Sequence, residues 1–127
     1  MHRTVISTDT APGAVGPYSQ AIRIGDLVFT AGQVPIDPST GSIDASSIED
    51  QTRQSLHNVK AVLEAAGSGL DRAVKMTVFM TDLGDFAAMN GVYAEFFPSD
   101  PPARSAVQVV ALPLGAQIEI EAVAAVR

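Results

Sequence analysis

Alternating apolar and polar positions in the first third of the chain predict β-structure. Residues 20–24 alternate in this way, Gly25 and Asp26 follow, and residues 27–31 form a second, mostly apolar segment. Period-two alternation is typical of a strand with one buried face, and a Gly-Asp pair between two such segments favours a tight hairpin turn. The sequence Asp-Pro-Ser-Thr-Gly at residues 37–41 then predicts a loop by its turn-forming residues.

A helix is predicted between Ser46 and Gly67. Ser46 with Glu49 three residues later forms a capping-box signature, and Gly67 is a suitable C-terminal stop. Residues at helical spacing form a core-facing stripe, made of Ile48, Thr52, Leu56, Val59, Leu63 and Ala66. The opposite stripe is typical of a solvated face with ion pairs three and four residues apart, and consists of Asp50, Arg53, His57, Lys60 and Glu64.

The second half of the chain predicts strands around a second helix. Residues 73–80 are apolar at nearly every position, as in a central strand, and residues 104–110 and 117–123 are expected to form two more. Asp82 is a candidate cap for a helix that ends before Pro98. One face of this helix carries Phe86, Met89, Tyr93 and Phe96.

The resulting order is strands, helix, strand, helix, strand, strand, which predicts an α+β fold with the helices on one face of a mixed sheet. The length of 127 residues fits one core, so residues 1–127 are expected to form a single domain. Two crossovers between parallel strands would place both helices on the same side. The other face of the sheet then lacks cover, and we expect oligomerisation to bury it.

Charge and hydropathy argue against several classes of partner. The formal net charge is -6, and an acidic surface repels phosphate backbones and anionic headgroups, so neither nucleic acid nor a membrane is expected to bind. The first residues lack the apolar stretch of a signal peptide, and the sequence has no apolar run of the roughly 20 residues that a transmembrane helix needs. A soluble, cytoplasmic protein is predicted.

Few residues are available for metal or redox chemistry. The chain has no cysteine and two histidines, His2 in a terminus expected to fray and His57 on the charged helix face, where a solvated residue is the simpler interpretation. Without a cysteine or histidine cluster, no metal site is expected. Motifs for nucleotide-binding loops and nucleophile elbows are absent, and no cofactor is predicted. Catalysis would therefore use carboxylates, arginine, tyrosine, hydroxyls and backbone groups.

Two charged residues on strands are the first candidates for such chemistry. Arg104 opens a strand after a rigid, proline-containing approach, and its guanidinium is a planar fork of donors that matches a carboxylate. A surface arginine in a weak ion pair is the alternative. Glu119 and Glu121 point away from the helices if Ile118 and Ile120 face them. Covered by a neighbouring subunit, Glu119 would have a raised pKa suited to proton transfer; a solvent-facing strand edge is the alternative.

Three uncharged residues are further candidates. Asn90 lies among apolar residues of the second helix, where its amide needs a hydrogen-bond partner, either structural or a ligand. Tyr18 follows Gly-Pro and can supply a phenolic donor or only pack. Gly32 can let a backbone group approach a ligand closely, although turn or bulge geometry explains a glycine there equally well.

Five segments, in order along the chain, resemble motifs of the RidA/YjgF family of reactive-intermediate deaminases. They are residues 16–21 (GPYSQA), 31–35 (AGQVP), 54–61 (QSLHNVKA), 102–107 (PARSAV) and 118–122 (IEIEA). The resemblance implies a chorismate-mutase-like fold with a six-stranded sheet, in a homotrimer with clefts between subunits. It also implies a 2-iminobutanoate/2-iminopropanoate deaminase, which hydrolyses reactive enamine and imine intermediates to 2-keto acids and ammonia.

The resemblance also implies roles for individual residues. The family's carboxylate-binding arginine falls on Arg104, and the glutamate near its attacking water falls on Glu119. Its pocket tyrosine, glycine and asparagine fall on Tyr18, Gly32 and Asn90.

Two pocket positions depart from the family's commonest pattern. Ala31 stands where well-studied members carry serine, and Ala106 stands where they carry cysteine. Neither residue supplies the carboxylate clamp, and a backbone contact at residue 106 survives the change. The departures leave rate and substrate range open.

A distance estimate makes the expected mechanism testable. Arg104 is expected to bind the substrate carboxylate while water held by Glu119 attacks the imine carbon. If the last two strands pair antiparallel after the reversal at residues 112–116, Glu119 lies level with residue 109, roughly 15–17 Å from Arg104. The two would then share a substrate only across subunits. The alternatives are a non-catalytic small-ligand sensor or partner-binding trimer, and an endoribonuclease, against which the acidic charge argues.

Overall fold

Six strands form one mixed sheet, and two helices pack on one of its faces, in a computed structural model that describes residues 2–127. The helices are α1 (Ile48–Ala65) and α2 (Phe86–Phe96). The strands are β1 (Arg3–Ile6), β2 (Ala21–Ile24), β3 (Leu27–Thr30), β4 (Ala73–Met80), β5 (Ala103–Gln108) and β6 (Ile118–Ala125). Their order in the sheet is β1-β2-β3-β6-β4-β5. The predicted α+β fold, with a six-stranded mixed sheet, is confirmed.

The crossovers explain why both helices share one face. β3 and β4 each pair antiparallel with β6, so they run parallel to one another, and β4 pairs parallel with β5. Each helix therefore connects two parallel strands of the same sheet, and connections of this kind share one hand. The predicted hairpin is also present, because Ile24 pairs with Leu27 across the Gly25-Asp26 turn.

Residues 3–6 form an edge strand that the alternation pattern does not predict. Arg3 pairs with Ile24 and Ile6 pairs with Ala21, so β1 extends the hairpin by one strand. Four residues carry too little periodicity to indicate a strand by themselves, and this one depends on pairing with β2. Strand β1 thus begins at Arg3, directly after His2.

Two predicted helix caps are displaced in the structure. The α1 cap is Ser47 and not Ser46, since the Ser47 hydroxyl accepts a hydrogen bond of 3.1 Å from the backbone N–H of Asp50. Asp82 caps a three-residue 3-10 turn ahead of α2 and accepts a bond of 2.8 Å from Gly84 N–H. Two adjacent serines give nearly the same capping signal, so only the backbone path decides between them.

The sheet has one covered and one open face. Ile118 and Ile120 are fully buried beneath the helices, and every residue of the predicted stripe from Ile48 to Ala66 is also buried. Glu119 and Glu121 lie on the open face. That face also exposes several large apolar side chains: Val5, Leu27, Phe29 and Val107. Neither helix among the described residues has the length and hydropathy to cross a bilayer.

Candidate functional site

Glu119 lines a cavity on the open side of the sheet. The cavity has a volume of about 240 Å³. Two other predicted site residues, Tyr18 and Gly32, line the same cavity. The rest of its lining is mostly apolar and includes Pro12, Val15, Val34, Ile36, Pro113 and Leu114. A carboxyl group in a mostly apolar cavity is a setting that favours its protonated form more than water does.

The pKa of Glu119 is raised above its ordinary value. Burial is the larger cause, and repulsion from the carboxylate of Glu121 on the same strand face adds to it. Within residues 2–127 the ion pairs involve other residues, and none compensates the charge of Glu119. A half-buried carboxylate of this kind can take a proton from water and return it, which is the task of a general base and acid.

Gly32 has no side chain because the Glu119 carboxyl group occupies that space. A Cβ atom built on Gly32 would lie 2.5 Å from one carboxylate oxygen of Glu119 and 2.9 Å from its Cγ. Real Cβ atoms do not approach other atoms this closely, so the glutamate side chain would have to move. The structure thus gives Gly32 a role that the sequence does not predict, which is to leave room for the Glu119 side chain.

Replacing Gly32 by alanine is therefore expected to lower kcat without unfolding the protein. A displacement of about 1 Å at a reacting group can reduce the rate by roughly 10²-fold. The carboxylate is the far end of a side chain and can swing aside, so the melting temperature should change by only a few degrees. Gly91→Ala is the matched control, because a Cβ there meets no atom within 4 Å. Unchanged kcat in Gly32→Ala would contradict this account.

Buried amide side chains hold the walls of the Glu119 cavity. Gln20 accepts a hydrogen bond of 2.7 Å from Thr8 N–H and donates one of 2.8 Å to the carbonyl of Pro12. Asn58 on α1 donates to the carbonyls of Val34 and Ile36 at 3.1 and 2.8 Å. Each amide thus fixes a loop that has no regular structure of its own.

A third amide, Gln51, ties α1 to the start of β6. Its oxygen accepts a bond of 2.9 Å from Gln117 N–H, two residues before Glu119, and its nitrogen donates to the carbonyl of Ala45 at 3.0 Å. Sequence reasoning missed these amides. The available signal is their spacing, since Gln51 and Asn58 lie seven residues apart and share one helix face beside the core stripe.

Arg104 lies in a second cleft, at the other edge of the molecule. Its Nη1 donates a hydrogen bond of 2.8 Å to the side-chain oxygen of Asn90, which is the partner that this amide requires. The guanidinium carbon lies 4.6 Å from the ring centroid of Tyr93. The cleft has a volume of about 360 Å³ and is lined by Asn90, Tyr93, Ala94, Phe97, Pro101, Pro102 and Arg104.

The two clefts are on opposite faces of the sheet. β4 separates β5 from β6, so the predicted direct pairing of the last two strands is wrong, although they do run antiparallel. Glu119 lies beside Phe79, which pairs with Val107 and not with residue 109. Arg104 is three residues and two strands away, about 14 Å between Cα atoms. The shorter distance does not bring the groups together, because Arg104 points toward α2 and Glu119 points away from it.

Comparison with known proteins identifies the family. The family model described as Endoribonuclease L-PSP matches residues 8–126. The chain belongs to the RidA/YjgF family. It is 56% identical over 122 residues to a RutC family protein of Pyrococcus horikoshii, covering 96% of this chain and 97% of the relative. It is 48% identical to the chloroplastic Reactive Intermediate Deaminase A of Arabidopsis thaliana, covering 96% of this chain and 65% of the relative.

Crystal structures of RidA/YjgF proteins show the same fold. Escherichia coli TdcF with bound serine superposes with a TM-score of 0.93 at 49% identity, covering 98% of this chain and 99% of TdcF. The YjgF gene product of E. coli gives a TM-score of 0.93 at 46% identity, with the same coverage of both chains. One of these relatives is named a deaminase and another contains a bound amino acid, whereas the family model is described as an endoribonuclease.

Two positions of this RidA/YjgF chain depart from the common pattern, Ala31 and Ala106. Neither residue lines either cleft. The N–H of Ala31 donates a hydrogen bond of 2.8 Å to the carbonyl of Gln20. Ala106 pairs with Val78 and packs against the core from the Arg104 side of the sheet. The chain thus groups Tyr18, Gly32 and Glu119 in one cleft and Asn90 with Arg104 in the other.

A larger cavity on the outer side of α1 is separate from both RidA/YjgF clefts. It has a volume of about 380 Å³ and is lined by Asp37, Asp44, Asp50, Arg53 and His57, among others. Its charges are partly compensated internally, since Arg53 pairs with Asp50 at 2.9 Å. His57 is exposed and lies edge-on to Phe96, in agreement with its interpretation as a solvated helix residue. In residues 2–127, no three potential metal ligands are grouped closely enough to hold an ion.

Proposed function

We propose that this protein hydrolyses small 2-imino acids, such as 2-iminopropanoate and 2-iminobutanoate, to 2-keto acids and ammonia. The main support is that two clefts each carry one of the two groups that such a substrate needs. Arg104 offers a guanidinium without a carboxylate partner among the described residues, and Glu119 offers a carboxyl group with a raised pKa. A substrate that carries a carboxylate beside an imine carbon needs one group of each kind.

In the proposed mechanism, Arg104 binds the substrate carboxylate and orients C2. Glu119 takes a proton from a water molecule as the water oxygen attacks C2. Glu119 then gives that proton to the imine nitrogen, which produces a carbinolamine. The carboxylate then accepts the proton of the new hydroxyl group and transfers it to the nitrogen. The C–N bond breaks, and ammonia and the 2-keto acid leave.

The same proposal includes sites between neighbouring chains, in the homotrimer that the family resemblance implies. Arg104 and Glu119 lie about 14 Å apart on opposite faces of one sheet, so one small substrate cannot contact both in a single chain. The open face of that sheet exposes Val5, Phe29 and Val107, a surface that a neighbouring copy would bury. An isolated monomer is accordingly expected to be inactive, and activity that persists in a dilution series below dissociation would contradict the arrangement.

A coupled assay tests the reaction directly. A serine dehydratase generates 2-aminoacrylate, and the release of pyruvate is followed with and without the protein. We expect the protein to accelerate pyruvate release, and Arg104→Ala to remove the acceleration. Equal rates with wild type, with Arg104→Ala and without protein would favour a small-ligand sensor instead.

The raised pKa of Glu119 predicts a pH dependence. The carboxylate must be ionised to accept a proton from water, so kcat should fall as the pH falls through this raised pKa. Glu121→Gln removes the repulsive charge and lowers the pKa of Glu119, which moves the acidic limb of the kcat profile to lower pH. High salt screens the same repulsion, so it should move the acidic limb of the wild-type kcat profile to lower pH and that of the variant less. An identical limb in both proteins would contradict the coupling.

An endoribonuclease activity is the second candidate, because the matching family model is described by that name. The net charge of -6 opposes binding of a polyanion. We therefore expect highly purified protein to leave RNA intact at physiological salt. RNA cleavage that copurifies with wild type and persists in Arg104→Ala would show a separate activity at another site.

A further inference from the structure

A stripe of α2 side chains surrounds the Arg104 guanidinium. Phe86, Asn90 and Tyr93 are spaced four and three residues apart, so they share one face of the helix. The guanidinium carbon lies 4.6 Å from the ring centroid of Tyr93 and 5.4 Å from that of Phe86. Asn90 accepts the hydrogen bond from Nη1. The arginine is thus contacted by two ring faces and one amide, all from one helix.

This environment holds the cation without neutralising it. The ion pairs within residues 2–127 involve Arg53 and Arg127 but not Arg104. A carboxylate partner would occupy donors in the plane of the guanidinium, the same donors that a substrate carboxylate needs. An aromatic ring instead attracts the cation through the negative potential of its face, and it brings no acceptor oxygen that would pair with the N–H donors. Asn90 takes one donor, and the rest stay available to a ligand.

We infer that Tyr93, with Phe86 beside it, is a positioning residue that holds Arg104 by cation–π stacking and leaves the in-plane donors free for the substrate carboxylate. The inference rests on the proposed function, since it assumes that Arg104 binds a carboxylate. It gives α2 a specific role, which is to position the Arg104 side chain.

Tyr93 is suited to this role because its ring is fixed. The residue is only 6% exposed and packs on Phe97 with 4.7 Å between the ring centroids. Burial raises the pKa of Tyr93 to about 12, so the side chain stays neutral and brings no competing anion to Arg104. Its buried hydroxyl has no hydrogen-bond partner in the described part of the chain. The ring face, and not the hydroxyl, is therefore the part that acts on Arg104.

The test is pyruvate binding to the full-length protein, measured by calorimetry beside steady-state kinetics. Tyr93→Leu is expected to weaken pyruvate binding and raise KM about 5- to 30-fold, with kcat changed less than KM. Tyr93→Phe keeps the ring and should restore most of the affinity. Phe96→Leu is the matched control, because it removes a half-buried α2 ring that packs against His57.

Two further variants separate the possible explanations. Pentafluorophenylalanine at position 93 keeps the ring's shape but reverses its charge distribution, so it should weaken binding as leucine does; wild-type affinity would overturn the electrostatic role. Phe86→Leu provides the same test, with a smaller loss expected, if circular dichroism shows that Tyr93→Leu does not fold. Unchanged pyruvate binding in Arg104→Ala would overturn the proposed function itself. Lost binding in Arg104→Ala with wild-type affinity in Tyr93→Leu would overturn only the stacking.

Discussion

Arg104→Ala is expected to lower kcat/KM for 2-iminopropanoate by roughly 10²–10³-fold, because two charge-assisted hydrogen bonds to the substrate carboxylate are lost together. The loss should appear in KM as well as in kcat, since the same contact holds the substrate and orients C2. Pyruvate binding, measured by calorimetry, should weaken in parallel. The expected result is thus a protein that folds and assembles but no longer recognises the carboxylate.

Two other arginine substitutions test whether the loss is specific to the Arg104 guanidinium. Arg104→Lys keeps the charge but loses the planar fork that matches a carboxylate, so its activity should lie between those of wild type and alanine. Arg53→Ala removes an exposed arginine that pairs with Asp50 and Glu95, and should leave the kinetics within about twofold of wild type. Equal losses in Arg53→Ala and Arg104→Ala would point to a general effect of charge.

Glu119→Gln is expected to reduce kcat by roughly 10²–10⁴-fold, the range typical of a lost general acid–base group. Glutamine has nearly the same shape, so the cavity beside Gly32 should stay filled and the fold intact. Pyruvate binding should persist, because Arg104, which binds the carboxylate, is unchanged. Loss of catalysis without loss of binding is the behaviour expected of an enzyme. In a sensor, the substitution would leave ligand binding and its response almost unchanged.

The pH profile of the rate gives a second check on Glu119. The wild-type rate should fall toward acid as the carboxylate is protonated, and the residual rate of Glu119→Gln should lack this limb. Glu64→Gln, on the exposed face of α1, is the control for removing one negative charge. Should Glu119→Gln retain the wild-type rate and pH profile, another residue must move the proton.

The two inactive variants can be combined to test the shared site. If each site takes Arg104 from one chain and Glu119 from the next, a mixed trimer of Arg104→Ala and Glu119→Gln chains contains one intact site of three. Equal mixing by refolding makes three of four trimers mixed, so about a quarter of wild-type activity should return. No recovery would mean that both residues act within one chain or that the chains do not exchange.

The sequence predicts those features that depend on local pattern. The stripe of α1 is buried as predicted, and β6 alternates so that Ile118 and Ile120 face the helices while Glu119 does not. Edge strand β1 is too short to show its own period and is ordered by pairing with β2. The α1 cap is misplaced by one residue because Ser46 and Ser47 carry the same capping chemistry.

The candidate site could be predicted only in part, because its geometry depends on strand order. The motifs mark Arg104 and Glu119 as candidates, but chain order suggests that β5 and β6 are neighbours, and only the fold places β4 between them. The pairing register, in which Glu119 lies level with Val107 and so an odd number of residues from Arg104, sets the two side chains on opposite faces. The stacking of Tyr93 on Arg104 is likewise invisible in the sequence, where Tyr93 reads as one more apolar residue of a helix stripe.

The position of β6 has a consequence during synthesis of the chain. β6 follows all the other strands in sequence, yet it lies between β3 and β4 and pairs with both. A nascent chain that stops before residue 118 therefore holds two part-sheets with facing, unpaired edges and no bridge between them. Such contacts between distant segments form slowly, and the exposed edges can pair with other chains meanwhile. Ribosome-bound chains of this length should accordingly recruit chaperones, and release them once the last strand has emerged.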